Sequence, residues 1–193
     1  MRALGLWRVL GFYTAMGAVG WAGMTSPMLL LPPATLRAWS LTVGLGVGTG
    51  LLLVMASRWA TMRLVSMGHM AREFRGMYGE MAAREALTMA CLSGVSEEIL
   101  FRGALQPSVG LGCTAVIFGL LHVRPSRRFI PWTIMAVVGG LVFGLLALWT
   151  EHILAPILAH ITVNFLNLRF LASARLGVEL RASALAAQRA ARS

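Results

Sequence analysis

Ser93-Gly-Val-Ser-Glu-Glu-Ile-Leu-Phe-Arg-Gly103 places three charged side chains inside an apolar stretch that runs from about Ala86 to Leu105. A stretch of about 20 apolar residues is long enough to cross a bilayer as a helix. On insertion scales an ionisable side chain at mid-membrane costs roughly 2.5–3.5 kcal/mol. Glu97, Glu98 and Arg102 therefore require either mutual compensation or a function.

Helix geometry divides these three residues into a pair and a single group. Glu98 and Arg102 are four residues apart and share a face, with the carboxylate N-terminal to the arginine, so they can neutralise each other. Glu97 points about 100° away. It is left as a desolvated carboxylate without a counter-charge, which suits a general base or acid. Glu98 and Arg102 are then expected to support the site. The alternative is that they form an ion pair that only fixes helix packing.

The composition predicts a polytopic membrane protein of the all-α class, a single membrane domain over residues 1–193. Hydrophobic residues make up 58% of the chain, against about 45–50% in soluble domains. The mean hydropathy is +0.74. The apolar runs predict about six transmembrane helices, at about Val9–Leu31, Trp39–Ser57, Ala86–Leu105, Val109–Val123, Pro131–Trp149 and Ile153–Leu171.

Two other segments are polar. Residues 58–85 mix methionines and other apolar residues with charges, a pattern typical of an interfacial amphipathic helix. Residues 172–193 form a basic tail that we expect on the cytoplasmic surface. Tryptophans near the ends of two spans are predicted to anchor them at the membrane interfaces; they are Trp39, Trp59, Trp132 and Trp149.

The net charge of +10 has a topological explanation. Arginines cluster before the first span and after the second, fourth and sixth spans, as the positive-inside rule predicts for cytoplasmic loops. Both termini are therefore predicted to be cytoplasmic, and membrane lipid rather than nucleic acid is the expected partner of this charge.

Three further polar residues lie within apolar runs. His122 ends the sequence Phe118-Gly-Leu-Leu-His122. Because it lies near the end of a span, it could instead be a residue of the membrane interface. His160 and Asn164 are four residues apart and share one face of the last span. Interhelical hydrogen bonding is the alternative for this pair. His69 and His152 are expected to be solvated surface residues.

Glu97-Glu98-x-x-x-Arg102, Phe118-x-x-x-His122 and His160-x-x-x-Asn164, in that order, resemble the CPBP family of intramembrane proteases. This family processes CAAX proteins and bacteriocins and includes abortive-infection-like proteins. The stretch Leu154-Ala-Pro-Ile-Leu-Ala-His160 is also similar to that family. The resemblance covers about residues 86–171, the predicted catalytic core, and is that of a compact bacterial member in the inner (plasma) membrane.

The resemblance implies peptide-bond hydrolysis within the membrane. Carried over, Glu97 is the general base with His122 assisting, His160 and Asn164 form the oxyanion hole, and Glu98 and Arg102 support the site. No cofactor is implied, although zinc bound by Glu97, His122 and His160 is an alternative, because catalytic zinc uses three protein ligands. Asn164 suits an oxyanion donor better than a zinc ligand, and HExxH is absent.

The implied substrate is a membrane-anchored protein or peptide: a CAAX-like C-terminus, a bacteriocin leader or a C-terminal sorting signal. Two other functions fit the same residues. Membrane-buried Glu, Arg and His also occur in proton-coupled transporters, and a non-catalytic membrane immunity or binding protein would retain its function in Glu97→Gln.

Overall fold

The structure, a computed structural model, describes residues 3–24 and 35–173. These residues are almost entirely helical and include no β-strand, as predicted for an all-α membrane bundle. A π-helical segment, Ile99–Leu105, joins α4 to α5, and a 3-10 turn, Arg127–Phe129, precedes α6. The α-helices are α1 (Ala3–Ala22), α2 (Leu36–Arg63), α3 (Val65–Tyr78), α4 (Ala83–Glu98), α5 (Gln106–Leu121), α6 (Ile130–Thr150) and α7 (Leu154–Leu171).

Four helical segments of the described residues are long and apolar enough to cross a membrane. They are Leu36–Arg63, Ala83–Leu121, Arg127–Thr150 and Leu154–Leu171. The helices α6 and α7 match their predicted spans to within two residues at each end. The predicted first span corresponds to α1, which ends at Ala22, and the last residues of that prediction lie outside the described residues, as does the tail from residue 174.

The predicted third and fourth spans form one segment that reverses direction at Gly110. This glycine has φ 81° and ψ 166°, a backbone conformation that side chains with a Cβ rarely adopt. Phe101 and Phe118 lie on either side of it, and their ring centroids are 4.8 Å apart. In a straight helix the two residues would be about 25 Å apart. The reversal therefore brings α5 back against the π-helical segment.

The polar segment after α2 contains an amphipathic helix, as predicted, but the second span is longer than predicted. The helix α2 continues through Arg58 to Arg63, and an extended residue, Leu64, separates it from α3. One face of α3 is buried and carries Met67, Met70, Ala71 and Phe74, at the spacing of a helical stripe. The aromatic ring of Phe74 packs on Phe129 and Trp132, which attaches α3 to the start of α6.

The helix α7 lies between α2 and α4, and small residues bring all three close. A Cβ atom added to Gly46 would lie 2.6 Å from the carbonyl oxygen of Ala155, and one added to Gly50 would lie 2.7 Å from Cβ of Thr162. On the other side, a Cβ atom at Gly94 would lie 2.7 Å from Ile161. These approaches bring α2 and α4 close to α7, and they fix the height of α7 relative to α4.

Candidate active site

The ion pair of Glu98 and Arg102 is buried where α4 passes into the π-helical segment. Nη1 of Arg102 donates to Oε1 of Glu98 at 3.0 Å, and both side chains are fully buried. Nη2 of Arg102 donates to the carbonyl oxygen of Gly140 on α6 at 2.8 Å. A buried ion pair is stable only when further hydrogen bonds satisfy its charges. The structure thus pairs these residues as predicted and also ties them to α6.

Aromatic rings surround the arginine. Its guanidinium carbon lies 5.8 Å from the ring centroid of Phe101, 5.2 Å from that of Phe118 and 5.7 Å from that of Phe143. Cations are attracted to the faces of such rings, and the attraction is stronger in dry surroundings. Three different helical segments therefore converge on this one charge. Arg102 lies in the π-helical segment. The N–H of Gln106, just after this segment, donates to the carbonyl oxygen of Phe101, five residues back, which is the hydrogen-bond spacing of a π-helix.

His160 is bonded to Glu98. Its Nδ1 atom lies 2.7 Å from Oε1 of Glu98, the oxygen that Arg102 also contacts. Because an ionised carboxylate can only accept, Nδ1 of His160 donates in this arrangement. The other ring nitrogen, Nε2, lies 3.9 Å from Oε2 of Glu97. The i, i+4 spacing predicts the pairing of Glu98 with Arg102 but not the bond of Glu98 to His160.

Asn164 lies one turn beyond His160 on α7 and bonds to α4. Its Nδ2 atom donates to the hydroxyl oxygen of Ser93 at 2.8 Å. An amide nitrogen carries two hydrogens, so one remains for another acceptor. The structure therefore places His160 and Asn164 on one face of α7, opposite Ser93, Glu97 and Glu98 on α4.

His122 borders the same cavity as Glu97. This cavity has a volume of about 510 Å³, and its walls include Phe12, Tyr13, Met16, Glu97, His122 and Trp132. Nδ1 of His122 lies 2.7 Å from the carbonyl oxygen of Phe118. A carbonyl can only accept, so Nδ1 carries hydrogen and Nε2 is left for other contacts. Among the described residues, no ion pair joins His122 to Glu97, and the shared cavity is what links them.

Trp132 and His152 differ from their predicted environments. Trp132 is half-buried, and its ring lies 5.7 Å from that of His122, so it is a wall of the cavity rather than a membrane anchor. His152 is half-buried, and its Nδ1 atom accepts from the N–H of Leu154 at the start of α7. His69, Trp39, Trp59 and Trp149 are exposed, as expected.

The alternative zinc set does not converge. Among the described residues, no three histidine, cysteine or acidic side chains are close enough together to hold a metal ion. Nε2 of His160 and Oε2 of Glu97 are 3.9 Å apart, but among the described residues no contact joins His122 to either of them. Glu97, His122 and His160 in this arrangement therefore do not form a preassembled zinc site.

Comparison with known proteins identifies the segment that carries these residues. Residues 80–166 match the family model described as Type II CAAX prenyl endopeptidase Rce1-like. This segment is Rce1-like. It contains all three motifs on which the resemblance to the CPBP family rested, and that resemblance is confirmed.

The chain is also similar in sequence to a curated protein. Over 123 residues the chain is 24% identical to the Uncharacterized protein YpbD of Bacillus subtilis (strain 168). The similarity covers 62% of this chain and 63% of that protein, so less than two thirds of the relative's length is represented. No solved structure matches the chain significantly.

One residue beside the site is not predicted by the sequence motifs, and this residue lies outside the Rce1-like segment. Tyr13 on α1 is next to the side chains of Glu97 and Ser93 and is part of the cavity wall. It belongs to none of the three motifs, and α1 carries no polar periodicity that marks it. Its position on the same helical face as Gly17 and Gly20 is the one signal in the sequence that could have found it.

Proposed function

We propose that this chain is an intramembrane endopeptidase, hydrolysing a peptide bond near the membrane in a lipid-anchored or membrane-inserted protein or peptide. The observation that carries the proposal is that the buried carboxylate of Glu97 lines a cavity and lies 3.9 Å from Nε2 of His160 on α7. Asn164, one turn further along α7, bonds to Ser93 on the helix that carries Glu97. A volume of about 510 Å³ is within the usual range for ligand sites. The Rce1-like match of residues 80–166 supports the same reaction.

Glu97 is the proposed general base. Its Oε2 atom is buried and has no hydrogen-bond partner among the described residues, so a lone pair is available. A water in the cavity gives its proton to this carboxylate while its oxygen attacks the carbonyl carbon of the substrate. His122 assists, because its Nε2 atom is free to accept a hydrogen bond from that water. When the C–N bond breaks, Glu97 returns the proton to the leaving amine, which balances the hydrolysis.

His160 and Asn164 are the proposed oxyanion donors. Asn164 has a second N–H hydrogen beyond the one given to Ser93. His160 donates from Nε2 only when both ring nitrogens carry hydrogen, because Nδ1 is committed to Glu98. The ionised Glu98 stabilises that imidazolium form directly. Losing one such donor typically costs about 10²–10³ in rate.

The proposed mechanism uses no metal. The donor set does not converge on one point, and one nitrogen of His160 is already bonded to a carboxylate. Glu98 and Arg102 instead act as a buried frame that orients the imidazole of His160.

The proposed setting is a bacterial inner (plasma) membrane with both termini cytoplasmic. The arginine-rich connections support this orientation. A membrane-anchored protein or peptide then reaches the cavity from the cytoplasmic half of the bilayer. The apolar walls formed by Phe12, Met16 and Trp132 suit the hydrophobic side chains of such a substrate.

The test is cleavage of a panel of membrane-anchored substrates by the purified protein. The panel contains a prenylated CAAX peptide, a leader-bearing peptide and a protein with a C-terminal sorting signal. We expect Glu97→Gln to lose at least 10³-fold in rate, and His160→Ala and Asn164→Ala to lose about 10²–10³-fold. Glu80→Gln is the matched control, because Glu80 is an exposed carboxylate in the turn before α4.

Two outcomes contradict the proposal. Normal cleavage by Glu97→Gln excludes Glu97 as the base. Loss of wild-type cleavage in a chelator, with recovery on adding zinc, excludes the metal-free mechanism.

A further inference from the structure

The chain has two tyrosines, and both border the cavity, but only one lies beside the proposed base. Tyr13 is half-buried on α1, next to the carboxylate of Glu97 and the hydroxyl of Ser93. Tyr78 ends α3, and its ring is stacked on Phe74 with centroids 5.9 Å apart. Burial raises the pKa of Tyr78, so it remains an uncharged phenol.

The packing of α1 fixes the height of Tyr13. A Cβ atom added to Gly20 would lie 2.6 Å from Cα of Leu100, and one added to Gly17 would lie 3.3 Å from Oγ of Ser96. Tyr13, Gly17 and Gly20 follow the spacing i, i+4, i+7 and therefore share one helical face. At Gly20 the backbone of α1 is in direct contact with the backbone of Leu100, three residues beyond Glu97, and at Gly17 it meets the side chain of Ser96.

Tyr13 also completes a polar connection across the site. Asn164 of α7 donates to Ser93, Ser93 lies beside Tyr13, and Tyr13 lies beside Glu97. A phenol can donate one hydrogen bond and accept another. Glu97 is otherwise poorly held, because among the described residues its Oε2 atom has no hydrogen-bond partner. Nε2 of His160 lies 3.9 Å from this oxygen.

We propose that Tyr13 is a positioning residue of the active site, whose hydroxyl holds the Glu97 carboxylate in the orientation that accepts the water proton. The inference rests on the proposed function for its kinetic consequence. The helix α1 is then a functional part of the enzyme, although it lies outside the Rce1-like segment. The ring of Tyr13 contributes to the cavity wall independently of the hydroxyl.

The experiment compares Tyr13→Phe with Thr14→Val. Each variant removes one hydroxyl from α1 and nearly keeps the size of the side chain. We expect Tyr13→Phe to lower kcat about ten-fold with KM within two-fold of wild type, because a hydrogen bond to a charged group is lost while the apolar surface remains. Thr14→Val should change kcat by less than two-fold, because Thr14 is exposed and is not part of the cavity wall.

A second readout does not depend on cleavage. The infrared carboxyl bands of Glu97 are assigned as those lost in Glu97→Gln, in the full-length protein. They should shift in Tyr13→Phe and stay in place in Thr14→Val. An unshifted band in Tyr13→Phe, or a wild-type kcat, overturns the positioning role. If the wild type cleaves no substrate, the proposed function fails, while the infrared comparison still decides the contact.

Discussion

Nδ1 of His160 lies 2.7 Å from Oε1 of Glu98, whereas its other ring nitrogen, Nε2, lies 3.9 Å from Oε2 of Glu97. The same oxygen of Glu98 accepts from Arg102, whose other nitrogen reaches the carbonyl of Gly140. Three helices are therefore connected through one carboxylate. The two neighbouring glutamates differ in their surroundings. Oε1 of Glu98 is bonded to His160 and Arg102, and its Oε2 atom is fully buried, whereas Glu97 lines the cavity. Among the described residues, Oε2 has no hydrogen-bond partner in either glutamate.

Replacing Glu98 by glutamine should damage both stability and rate. The neutral amide leaves Arg102 buried without its counter-charge, and such losses typically cost about 3–5 kcal/mol. It also removes the group that stabilises the imidazolium form of His160, so we expect a kcat loss of about 10²-fold in the folded fraction. Thermal unfolding in detergent and single-turnover cleavage measure the two effects separately. Equal stability of Glu98→Gln and wild type would contradict this account of the ion pair.

Ser93→Ala should slow cleavage without unfolding the protein. The hydroxyl of Ser93 accepts from Asn164, and without it the amide is free to rotate away from the oxyanion position. We expect kcat to fall about ten-fold, in line with the loss of one hydrogen bond of about 1 kcal/mol or slightly more. Ser96→Ala is the matched control on the same helix, because Ser96 faces Gly17 of α1. A similar loss in both variants would show that packing, not the Asn164 contact, is responsible.

The contact of α2 with α7 predicts opposite effects of two glycine substitutions. Gly50→Ala places a methyl group 2.7 Å from Thr162, so the helices must separate, at a cost of about 1–3 kcal/mol. Gly48→Ala meets nothing within 4 Å and should stabilise the helix by about 0.5–1 kcal/mol. Unfolding by a denaturing detergent measures both. Equal stability of the two variants would refute the packing of α7 on α2.

Gly110→Ala should destabilise the reversal of the chain within α5. An alanine at φ 81° is strained by about 1–3 kcal/mol, although open space surrounds its Cβ atom. Gly112→Ala also meets open space and has no positive φ, so it should be neutral or stabilising. We expect Gly110→Ala to reduce cleavage as well, because the reversal brings His122 to the cavity. Cleavage and thermal unfolding of the two variants provide the check.

The elements that the sequence predicts well are those determined locally. Pro131 and Glu151 delimit α6, and the i, i+4 spacing of Glu98 and Arg102 predicts their ion pair without knowledge of any other helix. The bond between His160 and Glu98 is different, because the relative height of α4 and α7 decides it. That height follows from the contact of Gly94 with Ile161, which no single-helix pattern contains.

The surroundings of Tyr13 and Trp132 also could not be predicted from the pattern of a single helix. Both are aromatic residues in apolar helices, where a position facing lipid and a position facing a cavity have the same local sequence. Trp132 was interpreted as an interface anchor because it begins a span. It is half-buried because the amphipathic α3 covers that end of α6 and places Phe74 4.1 Å from its ring.

The glycine face of α1 has a consequence for how such an enzyme diversifies. Among the described residues α1 packs mainly on α4 and the π-helical segment, yet it supplies Phe12, Tyr13 and Met16 to the cavity. The glycines of α1 hold the helix against its neighbours, while the side chains at positions 12 and 16 reach the cavity. Under the proposed function, libraries at positions 12 and 16, with Tyr13 and the glycines retained, are expected to change peptide preference without altering Glu97, His160 or Asn164.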